Sequence, residues 1–342
     1  MAAHEFTLPK LALRIATEAD AYRFMEQLRW EGGQPPACPH CGEMGRCYYL
    51  NPANGMGRAT RTGKVSQRRV WKCGGCRKQF SVLTGTIFEG TRVPLRTWVF
   101  VVVDLCSAKN GMSAREVERK YGVTVKTAWF MLHRLRHAME LEPLAGLLRG
   151  TVQVDETWIG GAPKNRHAKS RRERERAAYA SDKTPVVSIV HFETREVRSQ
   201  VLETVNGKAI LPAVRKHLAM EKTYLHTDAA KAYNVVAPHV AKHEFVTHKS
   251  GEYVRDGVST NLAEGYFSQL KRSIDGTHHN ISVKHMDRYL ANFDFMYSTC
   301  RQTDDQRVRR LIRQVDGYLS YKQLIGRVDD PEPEVDEFPV EW

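Results

Sequence analysis

Four of the seven cysteines come as two pairs, CPHC (Cys38, Cys41) and CGGC (Cys73, Cys76), with thirty-one residues between them. A CxxC step puts two thiolates on one tight turn, and two such turns close a tetrahedral sulfur site for zinc. Pro39, Gly42, Gly74 and Gly75 suit those turns. Two distant hairpins therefore have to meet, whatever the rest of the chain does. Disulfides and a redox CxxC are the competing readings. The N-terminus, MAAHEFTLPKLALRI, lacks the basic head, apolar run and small-residue cleavage site of a secretory leader. The expectation is a cytosolic chain, which disfavours disulfides. Two matched pairs without a thioredoxin pattern disfavour the redox reading. The sequence thus predicts structural zinc on Cys38, Cys41, Cys73 and Cys76. Cys47, Cys106 and Cys300 stand alone and are read as core residues or spectators.

The chain has 342 residues, enough for two or three domains. No apolar run approaches the ~20 residues of a membrane span. The formal net charge of +13 favours a polyanionic partner, nucleic acid above all. The surplus is uneven. DDPEPEVDEFPVEW (Asp329 to Trp342) is acidic and interrupted by prolines, and reads as a loosely held tail. Arg58, Arg61, Lys64, Arg68, Arg69, Lys72, Arg77 and Lys78 crowd around the cysteine turns, a fringe suited to nucleic acid or to plain solubility. The segment NPANGMGRATRTGKVSQ between the pairs is expected to be a flexible loop.

The next segment reads as three helices. Leu95 to Ala108 is apolar, and Asn110-Gly111 ends it. Ser113 with Glu116 three residues on has capping-box spacing and opens a second helix that runs to a turn at Gly122. Thr124 opens a third, with Val125, Ala128, Trp129, Leu132 and Leu135 along one side. Helix, glycine turn, helix is a helix-turn-helix layout, although any three-helix bundle shares its periodicity. Lys126 and Thr127 would then face DNA, with Thr124.

From Gly150 the pattern becomes that of a mixed α/β sheet. TVQVDETWIGG, PVVSIVHFE and REVRSQVLE read as three strands. NGKAILPAVRKHLAM reads as a helix, KTYLHTDAAKAY as a strand ending at Asp228 and then a helix, and EFVTH as another strand. A polar loop, SGEYVRDGVST, leads to a last helix. This is the order of a ribonuclease H-like core. Asp155 lies mid-strand among valines, where a charge is costly unless it is paired or metal-bound. Asp228 sits at a strand end, the usual place for ligand-facing residues in open α/β sheets. Glu156 points to the opposite face from Asp155 and is read as structural. His226 and His248 are read as packing residues near the site.

The helix STNLAEGYFSQLKRSIDG places Asn261, Glu264 and Lys271 at steps of three and seven, on one face. Tyr266, Phe267 and Leu270 form its apolar side. Asp155, Asp228 and Glu264 come from three elements and offer hard oxygen ligands, suited to Mg²⁺ or Mn²⁺. Two such ions can activate water and stabilise a leaving oxygen in phosphodiester cleavage.

VDETWIGG, LHTDAAKAY, TNLAEGYFSQLKRSIDGTHHNISVKHMDRYL, CRKQFSVLTGTIFEGTRVPLRTW and KTAWFMLHRLRHAM together resemble a transposase. The group is the zinc-ribbon, ISXO-type set of bacterial insertion-sequence DDE transposases, and the likeness runs from about Pro36 to Tyr297. It implies a ribonuclease H-like catalytic domain preceded by DNA-binding elements. It implies Asp155, Asp228 and Glu264 as the metal-binding triad, with thirty-five residues between the last two. Lys271 matches the basic residue that follows the triad glutamate. Asn261 is a helper, or an alternative third ligand. The ending EFxFRYN of the group reads NFDFMYS here, so Asn292, Met296 and Ser298 replace Glu, Arg and Asn. The insertion PKNRHAKSRRERERA brings Arg171 and Arg172 beside the first aspartate strand, as DNA contacts together with Lys271 and Arg272.

The implied partners are terminal inverted repeats and target DNA, in a bacterial, nucleoid-associated setting. Joining two ends implies a dimer or larger complex. The expected organisation is an N-terminal helix and zinc ribbon (1–90), a helix-turn-helix-like domain (91–149), a catalytic domain (150–300) and a C-terminal segment with the acidic tail (301–342). Two other functions share part of this pattern. One is a ribonuclease H-like nuclease that cuts without joining. The other is a transposase-derived DNA-binding regulator without catalysis.

Overall fold

The two N-terminal helices start differently: the first has a proline in its opening turn and no side-chain cap, the second a full capping box. The computed structural model describes residues 6–50, 58–59, 65–140, 146–160, 183–247 and 254–327. Arg171, Arg172, His248 and the acidic tail lie outside the described residues. A short helix α1 (Leu8–Arg14) precedes α2 (Glu18–Arg29), where Thr17 and Asp20 form a reciprocal capping box. The ribbon follows: β1 (Cys47–Tyr49), β2 (Arg58–Ala59), β3 (Val65–Ser66), β4 (Trp71–Cys73) and β5 (Gln79–Phe80). Strand β4 pairs antiparallel with β1 and β5. The segment expected as a flexible loop carries a small hairpin of its own, β2 against β3.

Glu26 of α2 ties the ribbon to the helices. Its buried carboxylate accepts hydrogen bonds from Arg69 Nε at 2.7 Å and Trp71 Nε1 at 2.8 Å. Burial of the carboxyl raises its pKa, and the two donors oppose the rise.

The three expected helices are α3 (Leu95–Ser107), α4 (Ala114–Tyr121) and α5 (Val125–Ala138). The caps fall where the sequence puts them. Ser113 accepts from the Glu116 N–H, Gly122 takes the left-handed conformation at φ 65°, and Thr124 accepts from the Thr127 N–H. A single apolar cluster joins α1–α5 and the ribbon to residues 295–315, with Trp98, Leu105, Leu132 and Leu311 among its buried members.

Among the described residues the main sheet of the α/β region has five strands: β6 (Leu148–Ile159), β7 (Thr184–His191), β8 (Val197–Val201), β9 (Leu218–Asp228) and β10 (Lys242–Val246). Their order is β10-β9-β6-β7-β8; β10, β9 and β6 pair parallel, and β7 runs antiparallel to both of its neighbours, β6 and β8. This is the mixed, ribonuclease H-like sheet. One face packs on α6 (Gly207–Arg215) and a 3₁₀ turn (Lys231–Val235), through Val152, Val154, Leu225, Ile210 and Tyr233. The hairpin β11 (Val254–Arg255) and β12 (Val258–Ser259) leads into α7 (Asn261–Ser273), and α8 (Met286–Ser298) follows. These two helices cover the other face through Val186, Val190, Val197, Tyr266, Leu270 and Leu290. The chain ends in α9 (Asp304–Arg313) and one turn, α10 (Tyr321–Leu324). No helix among the described residues is long and apolar enough to cross a membrane.

Three local expectations change. The helix expected through Met220 stops at Arg215, because Leu218–Met220 are recruited into β9, where Leu218 pairs with Leu148. The element after Asp228 is a 3₁₀ turn instead of an α-helix. The polar loop before α7 is partly the β11–β12 hairpin, turning at Asp256 and Gly257 with φ of 49° and 83°.

Edge strand β8 is closed by side chains of α8. Ser298 Oγ accepts from the Val197 N–H at 2.9 Å, and Asp294 accepts from the Ser199 N–H at 2.7 Å. An edge capped in this way offers fewer free donors to another strand. The replaced positions of the family ending therefore have places: Ser298 caps the edge, while Asn292 and Met296 are buried.

Candidate active site and metal centre

Parallel pairing of β6 with β9 sets Gln153 beside His226. Side chains alternate along strands, so Asp155 and Asp228, each two residues on, share that face. It is the face covered by α7. Gln153 fixes where α7 begins: its Nε2 donates to Ser259 Oγ at 3.2 Å, and its Oε1 accepts from the Leu262 N–H at 2.8 Å. Glu264 lies in the first turn of α7 and is exposed, with Thr260 Oγ1 3.4 Å from its Oε1.

Asp155 is the electrostatically unusual member. Its pKa is pushed up to about 7, first by burial and then by the negative charges of Glu156, Asp228 and Glu264. A bond from the Glu156 N–H at 2.8 Å offsets part of this. Asp228 Oδ1 accepts from the Ala230 N–H at 2.9 Å, which fixes the carboxylate at the strand end. The Asp228 and Glu264 carboxylates thus bear on Asp155 across a β6–β9–α7 junction. Glu156 does point to the other face, where its carboxylate accepts a hydrogen bond from the buried Tyr233 hydroxyl. Burial raises it also.

The apolar side of α7 is pinned by a residue that sequence reasoning missed. Half-buried Asp294 accepts from the Tyr266 hydroxyl at 2.6 Å and from Ser199 Oγ at 2.7 Å, beside the Ser199 N–H. Burial pushes it up to about 6. Tyr266 is two residues beyond Glu264, so Asp294 and Gln153 hold the helix from its side and its start. Neither carries a one-dimensional signal, since Asp294 finds Ser199 95 residues away and Gln153 finds Leu262 109 residues away.

Asn261, Lys271 and Arg272 are exposed on α7. Lys271 stands two turns beyond Glu264, roughly 10 Å along the axis. His226 is buried, which lowers its pKa and agrees with a packing role. At the start of α5, Lys126 is exposed and Thr127 half-buried.

The four paired cysteines converge. The sulfurs of Cys38 and Cys76 are 3.7 Å apart, those of Cys41 and Cys73 are 3.8 Å apart, and all four lie within 4.8 Å of one another. Zinc–sulfur bonds of about 2.3 Å in a tetrahedron place sulfurs about 3.8 Å apart, whereas a disulfide needs about 2.05 Å. The cluster fits zinc. Both turns have the same backbone: the N–H of Cys38 bonds the Glu43 carbonyl, and that of Cys73 the Lys78 carbonyl. Cys47 does not stand alone, since it faces Cys73 across β1 and β4. Among the described residues no other group of three His, Cys, Asp or Glu side chains has ligand atoms that close. The three carboxylates are therefore more widely spread than the four thiols.

Residues 147–298 match the family model for an ISXO2-like transposase domain, and residues 16–79 match the model for a transposase zinc-ribbon domain. A protein of Halobacterium salinarum, described as an uncharacterized protein in transposable element ISH50, is 26% identical over 310 residues. That alignment covers 87% of this chain and 97% of that protein. Among solved structures, a chain of a simian T-cell lymphotropic virus intasome in complex with PP2A regulatory subunit B56 gamma aligns at 14% identity. It covers 57% of this chain and 68% of that one with a TM-score of 0.27, a likeness too weak to carry weight. With its ribbon and its α/β region matched in order, the chain carries a transposase zinc-ribbon domain followed by an ISXO2-like transposase domain.

Proposed function

We propose that this protein binds the terminal inverted repeats of an insertion sequence, cleaves at the element ends and joins the freed 3′-hydroxyls to target DNA. One observation carries most weight: Asp155 and Asp228 share the sheet face on which Gln153 anchors the helix of Glu264. Asp155, Asp228 and Glu264 would hold Mg²⁺ or Mn²⁺. The charges that act most on Asp155 are all negative, and a set of oxygen donors with surplus negative charge suits a hard divalent ion. When bound, such ions activate the attacking oxygen and stabilise the leaving one.

The chain's own residues do the positioning. The hydrogen bond from Ala230 keeps Asp228 turned to the strand end, and Gln153 keeps the first turn of α7 against β6. Lys271 and Arg272 would contact phosphates along the exposed side of α7. Lys126 and Thr127 at the start of α5 would contact DNA, as would Arg171 and Arg172. Asn261, exposed at the first position of α7, would assist Glu264. The surplus of +13 supports a polyanionic substrate. Joining of two ends would proceed in a dimer or larger assembly.

The test is a strand-transfer assay with terminal-repeat DNA, a target plasmid and Mg²⁺ or Mn²⁺. Joined product is expected from the wild-type chain and none from Asp155→Asn or Asp228→Asn. Joining that survives either substitution overturns the assignment. Cleavage without joining by the wild-type chain points instead to a nuclease.

A further inference from the structure

The last described turn of the chain sits on the start of α5. Tyr321 of α10 packs its ring 5.5 Å from that of Phe130 and 6.4 Å from that of Trp129. The Lys126 ammonium lies 4.5 Å from the centre of the same ring. Arg134 Nε donates to the Leu319 carbonyl at 3.1 Å, and Leu319 and Leu324 are fully buried. The C-terminal segment is therefore fixed against the first half of α5, at the end that carries Thr124, Lys126 and Thr127.

From there the chain runs directly into DDPEPEVDEFPVEW, residues 329–342, with seven carboxylates and no lysine or arginine. The total of +13 includes these seven, so the preceding residues carry +20. The surface around the exit point is basic. Lys126, Lys284, Lys322 and Arg327 are exposed there, and a Cβ on Gly326 would meet the Lys284 ammonium. Fourteen residues reach up to about 45 Å when extended, while the first two turns of α5 measure about 11 Å. Length, attachment and charge all suit this surface.

We propose that residues 329–342 occupy the exposed start of α5 and compete there with DNA, as a polyanion tethered beside a polyanion-binding surface. This rests on α5 being a DNA-contacting helix. Tethering supplies an effective concentration in the millimolar range, so even a weak charge-driven contact is populated. The contact is screened as ionic strength rises, because the charges are exposed. DNA of sufficient charge density displaces the segment, and binding away from inverted repeats is the first to suffer.

Zero-length carbodiimide cross-linking of the full chain, read by peptide mass spectrometry, locates the segment. Amide bonds from Lys126, Lys284 or Lys322 to carboxylates of residues 329–341 are expected, and they are lost when a short duplex is added. Links only to lysines elsewhere, or none, overturn the proposal. A full-length variant with the seven carboxylates converted to amides is expected to bind a 20-base-pair duplex roughly 3- to 10-fold more tightly at low salt, with the gap closing as salt rises. Unchanged affinity also overturns it. Adding Lys126→Ala to that variant tests α5 separately. Undiminished DNA binding there removes α5 as the DNA-contacting helix, whatever the cross-links show of where the segment sits.

Discussion

The Gln153 side chain and the Leu262 backbone are joined by a 2.8 Å hydrogen bond, two residues from Asp155 on one side and two from Glu264 on the other. Its other atom, Nε2, reaches Ser259 at 3.2 Å. The bond to Ser259 is buried and that to Leu262 half-buried, so a single amide registers the central strand against the helix of Glu264. Gln153→Leu keeps volume and burial but leaves the Leu262 N–H unpaired, at a cost of about 1–3 kcal/mol. A lower melting temperature is expected, with strand transfer reduced at least 10-fold while affinity for terminal-repeat DNA changes little. Equal losses of binding and joining would show that Gln153 serves the fold alone.

Asp155 should be costly to the protein when no metal is present. Its folded pKa of about 7 lies above the ordinary value of 3.8. A raised carboxyl contributes fully to stability below the unfolded pKa, and that contribution is lost as pH rises through the folded one. At pH 8, about one unit above that pKa, the half-buried carboxyl is mostly ionised. Asp155→Asn is therefore expected to raise the melting temperature in EDTA at pH 8, by a gain on the order of 1–3 kcal/mol. Adding Mn²⁺ should stabilise the wild-type chain and leave the variant unmoved. Thermal melts at pH 8, with EDTA and with Mn²⁺, measure both.

Local chemistry was legible in the sequence, and distant partnerships were not. Ser113, Gly122 and Thr124 act on neighbours within five residues, so their caps can be read directly. The Asp256-Gly257 turn could have been read too: Asp-Gly at that position is a two-residue hairpin signal. The end of α6 could not, because Leu218 becomes a strand residue only by pairing with Leu148, seventy residues earlier. Residue type, strand position and helix spacing singled out Asp155, Asp228 and Glu264 as candidates, and the β6–β9 register puts the two aspartates on one face. What holds them was not found. Gln153, Asp294 and Glu26 are ordinary polar letters in strand or helix patterns, and their burial depends on partners far along the chain.

The ribbon should require its metal. Cys38 and Cys73 are buried and Cys76 half-buried, so without a cation the cluster brings four sulfur groups together with little to neutralise them. One zinc per chain is expected by atomic emission. Cys73→Ser should lose it and unfold the ribbon, since such small sites draw their folding energy from the ion. Cys47→Ser should keep it, although Cys47 lies opposite Cys73. Zinc retained by Cys73→Ser at full stoichiometry would remove that residue from the ligand set.

The interface of α5 with α8 should lose stability in acid. His133 is fully buried, neither ring nitrogen has a partner among the described residues, and burial beside Arg136 holds its pKa down at about 2. His278, near Arg136, is held down at about 3, and His217, away from this interface and between α6 and β9, at about 4, again first by burial. In the unfolded chain each has a pKa of about 6.5. Above that value both states are neutral, so nothing is lost. Below it the unfolded chain takes up protons that the fold refuses, and stability falls as the pH drops toward 4. At pH 5 the loss is about 1–2 kcal/mol per histidine. Asp294, raised to about 6, works in the opposite sense over part of the same range, so the wild-type profile alone does not isolate the effect. His133→Phe does. Its ring can keep the edge contacts with Trp129 and Tyr289, at 4.5 Å and 5.5 Å between ring centres. The variant is expected to gain on the wild-type chain at pH 5 and to match it at pH 8, in urea titrations at both. A gain of the same size at both pH values would mean better packing, with no contribution from protonation.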